Sequence, residues 1–334
     1  MAESLLKVSD LRSYYYLPSF IVKAIDSVSF EIAKAEALGI IGESGSGKST
    51  IGWSVLRALP NPGRIVNGDI RLDGRSLLAL DREEMRKIRW KEIAMVTQSA
   101  MSSFDPLMRI GDQIVEAISV HEDIPQEGAM ERAKEIFKEV SLESSRFKNY
   151  PHELSGGMRQ RAMIAMALIC NPKLVIADEP TTALDVIVQA QILKLMDNLK
   201  SNLKSLSIMF ISHDLSVVAG ISDKILVVYG GKMMEYGTTN EIIKNPLHPY
   251  TIDFVNAFPN IDGARMSFES IPGDPPDMRN PPTGCVFHPR CKYAWTKCKE
   301  VTPTWKEAEK GHFVACHLHE AGGAWEHGRP HHTR

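Results

Sequence analysis

The feature that most constrains this chain is the stretch Gly42-Glu-Ser-Gly-Ser-Gly-Lys48-Ser49-Thr50, which matches G-x-x-x-x-G-K-[ST] and follows directly on the apolar run Leu38–Ile41. Glycines let the backbone curl until successive N–H groups point at one phosphate. The helix that follows then presents its N-terminal dipole to the same anion. Lys48 can reach the β- and γ-phosphates, and the Ser49 hydroxyl can ligate Mg²⁺. Gly42, Glu43, Ser44, Gly45, Ser46, Gly47, Lys48, Ser49 and Thr50 are therefore candidate nucleotide-binding residues. A flexible Gly/Ser turn is the plain alternative, and the strand before and helix after the loop argue against it.

Up to about Gly230, short apolar runs alternate with longer amphipathic stretches, the pattern of an α/β chain. Early β signals are Phe20–Ile25, Val28–Ile32 and Ile65–Leu72, the last followed by Asp73-Gly74 as a hairpin turn. Leu38–Ile41, Ile93–Thr97, Leu174–Ala177, Ile208–Ser212 and Ile225–Val228 read as buried strands of a mostly parallel sheet. Helical spacing marks residues 113–143 and Gln189–Leu203. After Asn245 eight prolines between Pro246 and Pro282 break any long element, so an extended crossover is expected there. A Cys-rich segment and a Gly/His tail close the chain. The 334 residues fit one large domain plus an appendage. With 39 Lys+Arg against 41 Asp+Glu, nothing demands nucleic acid. No apolar run approaches the roughly 18–20 residues that cross a bilayer, and the N-terminus lacks the regions of a secretory signal.

A second motif supports the first. Leu174-Val-Ile-Ala-Asp178-Glu179 ends a buried strand in two carboxylates, at the strand end where open α/β sheets place ligands. Asp178 would hold the metal, directly or through water, and Glu179 would polarise an attacking water. Between the two motifs stands Leu154-Ser155-Gly156-Gly157-Met158-Arg159-Gln160-Arg161. Here the sequence resembles the ATP-binding subunits of ABC transporters, whose signature is an LSGGQ-like segment.

That resemblance implies a P-loop ABC ATPase fold: a RecA-like core with antiparallel β and helical subdomains, plus here a small Cys-rich C-terminal extension. It implies ATP and Mg²⁺ as cofactors, with Ser49, Gln98 and Asp178 near the metal. Glu179, Gln98 and His213 take the catalytic roles of base, Q-loop glutamine and switch histidine. Thr182-Ala183-Leu184-Asp185 resembles the D-loop, and Tyr15 matches the aromatic that stacks on adenine. The signature residues Ser155, Gly156 and Gly157 of one subunit would meet the γ-phosphate held by Lys48 of a partner, so the ATP site is completed by pairing.

Further stretches resemble the dipeptide/oligopeptide/nickel permease branch, as the first, D-type subunit of its ATPase pair: Gln98-Ser-Ala-Met-Ser-Ser-Phe-Asp-Pro106, His248-Pro-Tyr-Thr251, Ile271-Pro-Gly-Asp-Pro-Pro and Gly284-Cys-Val-Phe-His-Pro-Arg-Cys291. The branch implies import of di- or oligopeptides, with nickel chelates or oligosaccharides as alternatives. Its partners are a second ATPase subunit in a heterodimer, two membrane-spanning permease subunits and an extracytoplasmic solute-binding protein. The location implied is the cytoplasmic face of the membrane, as a peripheral subunit. We expect residues 1–255 to form the ATPase domain, 256–320 the extension and 321–334 a mobile tail. Two departures are small: Ala35 stands where the family has Gly, and Met158 replaces the signature Gln. A nucleic-acid ABC ATPase and a redox-sensing regulator are the readings from other classes; a single cassette, the short interval between motifs and near-neutral charge weigh against the first.

Cys285, Cys291, Cys298 and Cys316 are spaced C-x5-C-x6-C-x17-C. No C-x2-4-C zinc knuckle and no C-x2-C-x2-C ferredoxin pattern is present. The alternatives are a [4Fe–4S] cluster, a zinc ion with His288, His312 or His317 as substitute ligands, and thiols that are unligated or paired. The family resemblance points to the cluster. Cys170, alone in an apolar stretch, stands apart.

Overall fold

Two long antiparallel strands open the chain, β1 (Ser4–Tyr16) and β2 (Ile21–Ala33). The computed structural model describes residues 3–98, 103–182, 184–203, 205–258 and 271–320. Sequence periodicity signalled β structure only from Phe20, so β1 is an addition. Its alternation is interrupted: Leu6 and Val8 point inward, but so does Leu11, because the pairing register shifts around Asp10, at φ 43°. β3 (Ala37–Ile41) leads to the phosphate-binding loop, while β4 (Gly63–Leu72) pairs with β1. The expected turn follows. Asp73 and Gly74 both have positive φ, 46° and 78°, as a two-residue primed hairpin requires, and β5 (Arg75–Ser76) returns.

The second sheet carries the site. Its parallel strands are β3, β6 (Ile93–Val96), β7 (Leu174–Asp178), β8 (Ser207–Ser212) and β9 (Lys224–Tyr229). Every residue of β3, β7 and β8 is buried, which is why they read as continuous apolar runs. β10 (Lys232–Thr238) turns back antiparallel on β9. Among the described residues the sheet order is β11-β12-β10-β9-β3-β8-β7-β6, with β11 (Lys306–Glu309) and β12 (His312–Val314) coming from the Cys-rich extension. The extension is thus laid along the sheet's edge. His312 Nε2 and Glu235 Oε1 pin it there at 2.7 Å, both side chains fully buried.

The helical stretch expected over residues 113–143 is two helices, Ile110–His121 and Gln126–Glu139, with Pro125 capping the second. The extended crossover expected after Asn245 contains a helix, Pro249–Asn256. Proline breaks helix interiors, but at the first helical position its missing N–H costs nothing. His248 Nδ1 also accepts the Tyr250 N–H at 3.0 Å. No helix among the described residues is long and apolar enough to cross a membrane.

Candidate active site

β3 delivers the chain into the loop, and the helix Lys48–Val55 leaves it. Gly47 caps that helix at φ 99°, where a Cβ would lie 2.3 Å from the Ala24 carbonyl oxygen, so only glycine fits. Lys48 is 5% exposed and donates to the carbonyls of Gly42 (2.7 Å) and Glu43 (2.8 Å). Ser49 Oγ donates to Asp178 Oδ1 at 2.9 Å, which joins the loop to the end of β7. The phosphate loop and the Asp178 carboxylate are therefore one hydrogen-bonded unit across the sheet.

Glu179 is the centre of a second set. Gln98 Nε2 donates to its Oε2 at 3.0 Å, Thr182 Oγ1 to the same oxygen at 2.9 Å, and His213 Nδ1 lies 3.0 Å from Oε1. Three loops at the carboxyl ends of the adjacent strands β6, β7 and β8 thus meet on one carboxylate. The Glu179 backbone has φ 46°, a left-handed conformation that costs a non-glycine residue roughly 1–3 kcal/mol and is held by its neighbours. Here Glu179 N donates to the Ile211 carbonyl at 2.9 Å.

Charge is arranged for a ligand. Burial pushes the Lys48 ammonium down to about 8, against the pull of Glu179, Asp178 and Glu43. Burial pushes Asp178 up to about 6; the Ser49 hydrogen bond opposes this and the Glu179 charge adds to it. A buried cation and a buried carboxylate, each held off its ordinary value, suit a polyanion and a divalent cation respectively.

The cleft above these groups has a volume of about 700 Å³. Glu43, Ser44, Gly45, Gly47, Lys48, Ser49, Thr50, Gln98, Glu179 and His213 line it, as expected. Thr182, Val22, Ala24, Phe254 and Met278 line it too and were not foreseen as site residues, although Thr182 lies in a recognised motif. Gly42, Ser46 and Asp178 lie beneath this surface, buried. Tyr15 is half-buried in β1, paired with Val22 and packed on Gly63, and is not among the lining residues.

Ser155 and Asp185 cap helices instead. Ser155 Oγ accepts the Met158 N–H at 3.3 Å at the head of Gly156–Leu168, and Asp185 Oδ1 accepts the Val188 N–H at 2.9 Å at the head of Val186–Asn202. Ser155, Gly156 and Gly157 are outside the cleft, with Ser155 and Gly156 exposed. Ala183 and residues 99–102 of the glutamine stretch, and the tail 321–334, lie outside the described residues.

In the extension, Cys285, Cys291, Cys298 and Cys316 surround one small cavity of about 10 Å³, which His288 and His317 also line. All five cysteines of the chain are free thiols. Burial, reinforced by the neighbouring thiols, pushes Cys291 up to about 11 and Cys316 to about 12. Among the described residues no group of three or more His, Cys, Asp or Glu side chains is disposed to hold a metal ion. The substitute histidines each make another contact, and only in His317 are both ring nitrogens taken. His312 is on Glu235, and both ring nitrogens of His317 have partners, Glu320 Oε2 at 2.6 Å and the Val301 carbonyl at 2.8 Å. His288 Nδ1 lies 3.0 Å from the Cys285 carbonyl oxygen.

A glycine-rich phosphate loop, a carboxylate-ended strand hydrogen-bonded to it, and a glutamate met by glutamine and histidine define a P-loop ATPase of the cassette type. Comparison with known proteins narrows this. The family described as ABC transporter matches residues 25–182, and that described as oligopeptide/dipeptide transporter, C-terminal region, matches residues 234–298. The dipeptide transport ATP-binding protein DppD of Caldanaerobacter subterraneus subsp. tengcongensis is 43% identical over 95% of this chain and 98% of its own length. The oligopeptide transport ATP-binding protein OppD of Escherichia coli is 44% identical over 94% of this chain and 93% of its own. Among solved structures, the ATP-binding cassette MJ0796, a dimer in a post-hydrolysis state bound to ADP and Pi, is 27% identical with a TM-score of 0.63; the match covers 70% of this chain and 98% of that one. The chain belongs to the ATP-binding subunits of ABC transporters, and it is an ATPase.

Proposed function

We propose that this chain is the ATP-hydrolysing subunit of an importer of di- or oligopeptides. The observation that carries the reading is the convergence of Gln98, Thr182 and His213 on Glu179, beside the Lys48–Ser49–Asp178 unit. Identity above 40% with DppD and OppD along nearly the whole chain supports the peptide as cargo. Lys48 exchanges its carbonyl partners for the β- and γ-phosphates. Ser49, Asp178 and Gln98 would hold Mg²⁺, which would supply positive charge against the phosphates. Glu179 accepts the proton of the attacking water, with Gln98 and His213 fixing its two oxygens. We assign Tyr15, paired with the cleft-lining Val22, to the adenine base.

The signature Ser155-Gly156-Gly157 stands away from the cleft at an exposed helix N-terminus, which suits an anion brought by another subunit. We assign it to the phosphates held by a second ATP-binding subunit, and the pair to two membrane permease subunits fed by a solute-binding protein. The working division is an ATPase domain through residue 255 and an extension over 256–320, at the cytoplasmic face of the membrane. The reading of an iron–sulfur cluster in the extension rests on four soft thiols lining one cavity, although no set of side chains among the described residues is disposed to hold a metal ion. Cys285, Cys291, Cys298 and Cys316 would hold it, as a staple for a segment with little core of its own. The cavity is about the size of one water, so loading would widen it.

The function is tested by purifying the chain with its permease subunits and measuring ATPase activity with and without peptide. Peptide-stimulated turnover that is lost in Glu179→Gln is expected. A complex that ignores peptide and responds to nucleic acid would overturn the reading. Anaerobic purification with iron and sulfide analysis tests the cluster, and colourless, zinc-loaded protein would sink it.

A further inference from the structure

The phosphate loop of this chain carries a carboxylate, Glu43, at a position where the motif accepts any residue. It lines the cleft that must receive the triphosphate. An unpaired carboxylate there would repel the ligand. It is not unpaired. Arg290, from the Cys-rich extension, clamps it with both arms: Nη1 to Oε2 at 2.6 Å and Nη2 to Oε1 at 3.1 Å. The two residues are 247 positions apart, and the Arg290 side chain is only 5% exposed.

Every arm of the guanidinium is used. Nε donates to the Pro272 carbonyl at 2.7 Å, Nη2 also to the Ile271 carbonyl at 3.1 Å, and Nη1 also to Tyr229 Oη at 3.1 Å. Glu43 is fixed at its backbone as well, its N–H donating to Tyr250 Oη at 2.9 Å. Its carbonyl in turn accepts from Lys48 Nζ. Tyr229 and Tyr250 pack against each other and against Phe287, whose near neighbours in sequence are Cys285 and Arg290. A buried, bidentate guanidinium fixes geometry that a lysine could not.

We propose that Arg290 is a positioning residue for ATP binding: it neutralises Glu43 and holds the phosphate-binding loop in shape, so that the C-terminal extension sets the nucleotide affinity of the ATPase site. The proposal rests on the ATPase reading. Removing the guanidinium leaves a half-buried, unpaired carboxylate facing the triphosphate, and removing both charges relieves it.

The test is a binding cycle on the full-length protein, using ATP and AMP with Mg²⁺ below the melting temperature of every variant. Arg290→Met is expected to weaken ATP about 10- to 100-fold, at an effective dielectric of about 20 and several ångströms' separation. AMP, with its single phosphate, should weaken much less. Glu43→Gln together with Arg290→Met should bind ATP more tightly than Arg290→Met alone, and in the single variant kcat should move far less than KM. A purely structural role would lower the melting temperature, spare the affinity of the folded fraction and give no rescue by Glu43→Gln. That result, or equal losses for ATP and AMP, overturns the proposal. Wild-type protein that binds no ATP would instead overturn the ATPase reading beneath it.

Discussion

Asp178→Asn should make the nucleotide-free protein more stable while destroying Mg²⁺-dependent turnover. Asp178 is 4% exposed at the end of β7 and its carboxyl is pushed from 3.8 up to about 6, chiefly by burial. At neutral pH it is ionised, and a shift of roughly two units corresponds to about 3 kcal/mol of folding free energy lost to holding that charge. Asparagine keeps an oxygen for the Ser49 hydroxyl, which now donates at 2.9 Å, and removes the charge. For a chain of this size the gain is on the order of 5 °C in melting temperature. The sign follows from linkage. A carboxyl raised by folding destabilises fully above its folded value near 6, and the penalty fades as the pH falls toward its unfolded value of 3.8. The advantage of the variant should therefore be full at pH 7.5 and shrink to roughly a third near pH 4.5. The assay is thermal unfolding in a chelator across pH 4.5–8, repeated with Mg·ATP, which should stabilise the wild type selectively. A variant less stable than the wild type at pH 7.5 in chelator, or a gain that ignores pH, would refute the reasoning.

Glu179→Gln should abolish turnover yet leave ATP binding intact, because the amide keeps partners for Gln98, Thr182 and His213 and loses only the basic oxygen; ordinary turnover in purified complex would exclude Glu179 as the base. His312 gives a pH effect of opposite sense. Burial alone would lower its pKa, but the hydrogen bond and charge of Glu235, with Glu241 and Glu309 nearby, raise it. The His312–Glu235 pair therefore contributes fully below the ordinary histidine range and is lost as pH rises through the raised value, so melting temperature should fall on that alkaline side. His312→Gln should flatten the slope, and an unchanged slope would remove the pair from the account. Ala35 sits at φ 60° in the turn before β3. Ala35→Gly should stabilise by up to about 1 kcal/mol, measured as a shift in urea midpoint, because glycine relieves the left-handed conformation more than it adds to unfolded-chain entropy.

What could be read from the sequence was local. Gly47 and Lys48 announce their loop because the backbone geometry permits few other residues, and β7 announces itself because a parallel interior strand is apolar throughout. The Asp73-Gly74 turn was legible for the same reason. Even Ala35 was visible as a departure, though its cost was not. The unread parts depend on register or distance. β1 hid because the bulge at Asp10 breaks its alternation. The helix at Pro249 hid because a proline count cannot distinguish the first helical position from the interior. No spacing rule joins Arg290 to Glu43, His312 to Glu235, or Met278 to the cleft; each pair meets only after the last strands fold back along the sheet. Tyr15 shows the converse, a residue matched to the adenine-stacking aromatic by resemblance whose side chain packs on Gly63 and is not among the lining residues of the cleft.

That folding back has a consequence for synthesis and solubility. β12 covers the edge of β10 at Glu235 and Tyr236, and the Met234 carbonyl accepts the Ala315 N–H. Until residues 312–314 arrive, this edge is an open row of backbone donors and acceptors, a template for another chain. The strand that finally ends the sheet, β11, is four residues of Lys-Glu-Ala-Glu, mostly exposed, charged and short. Such a margin discourages edge-to-edge stacking. During translation the β10 edge therefore stays open until residues 312–314 emerge, and a chaperone that shields β10 over that interval would be guarding an edge that β12 covers in the folded protein.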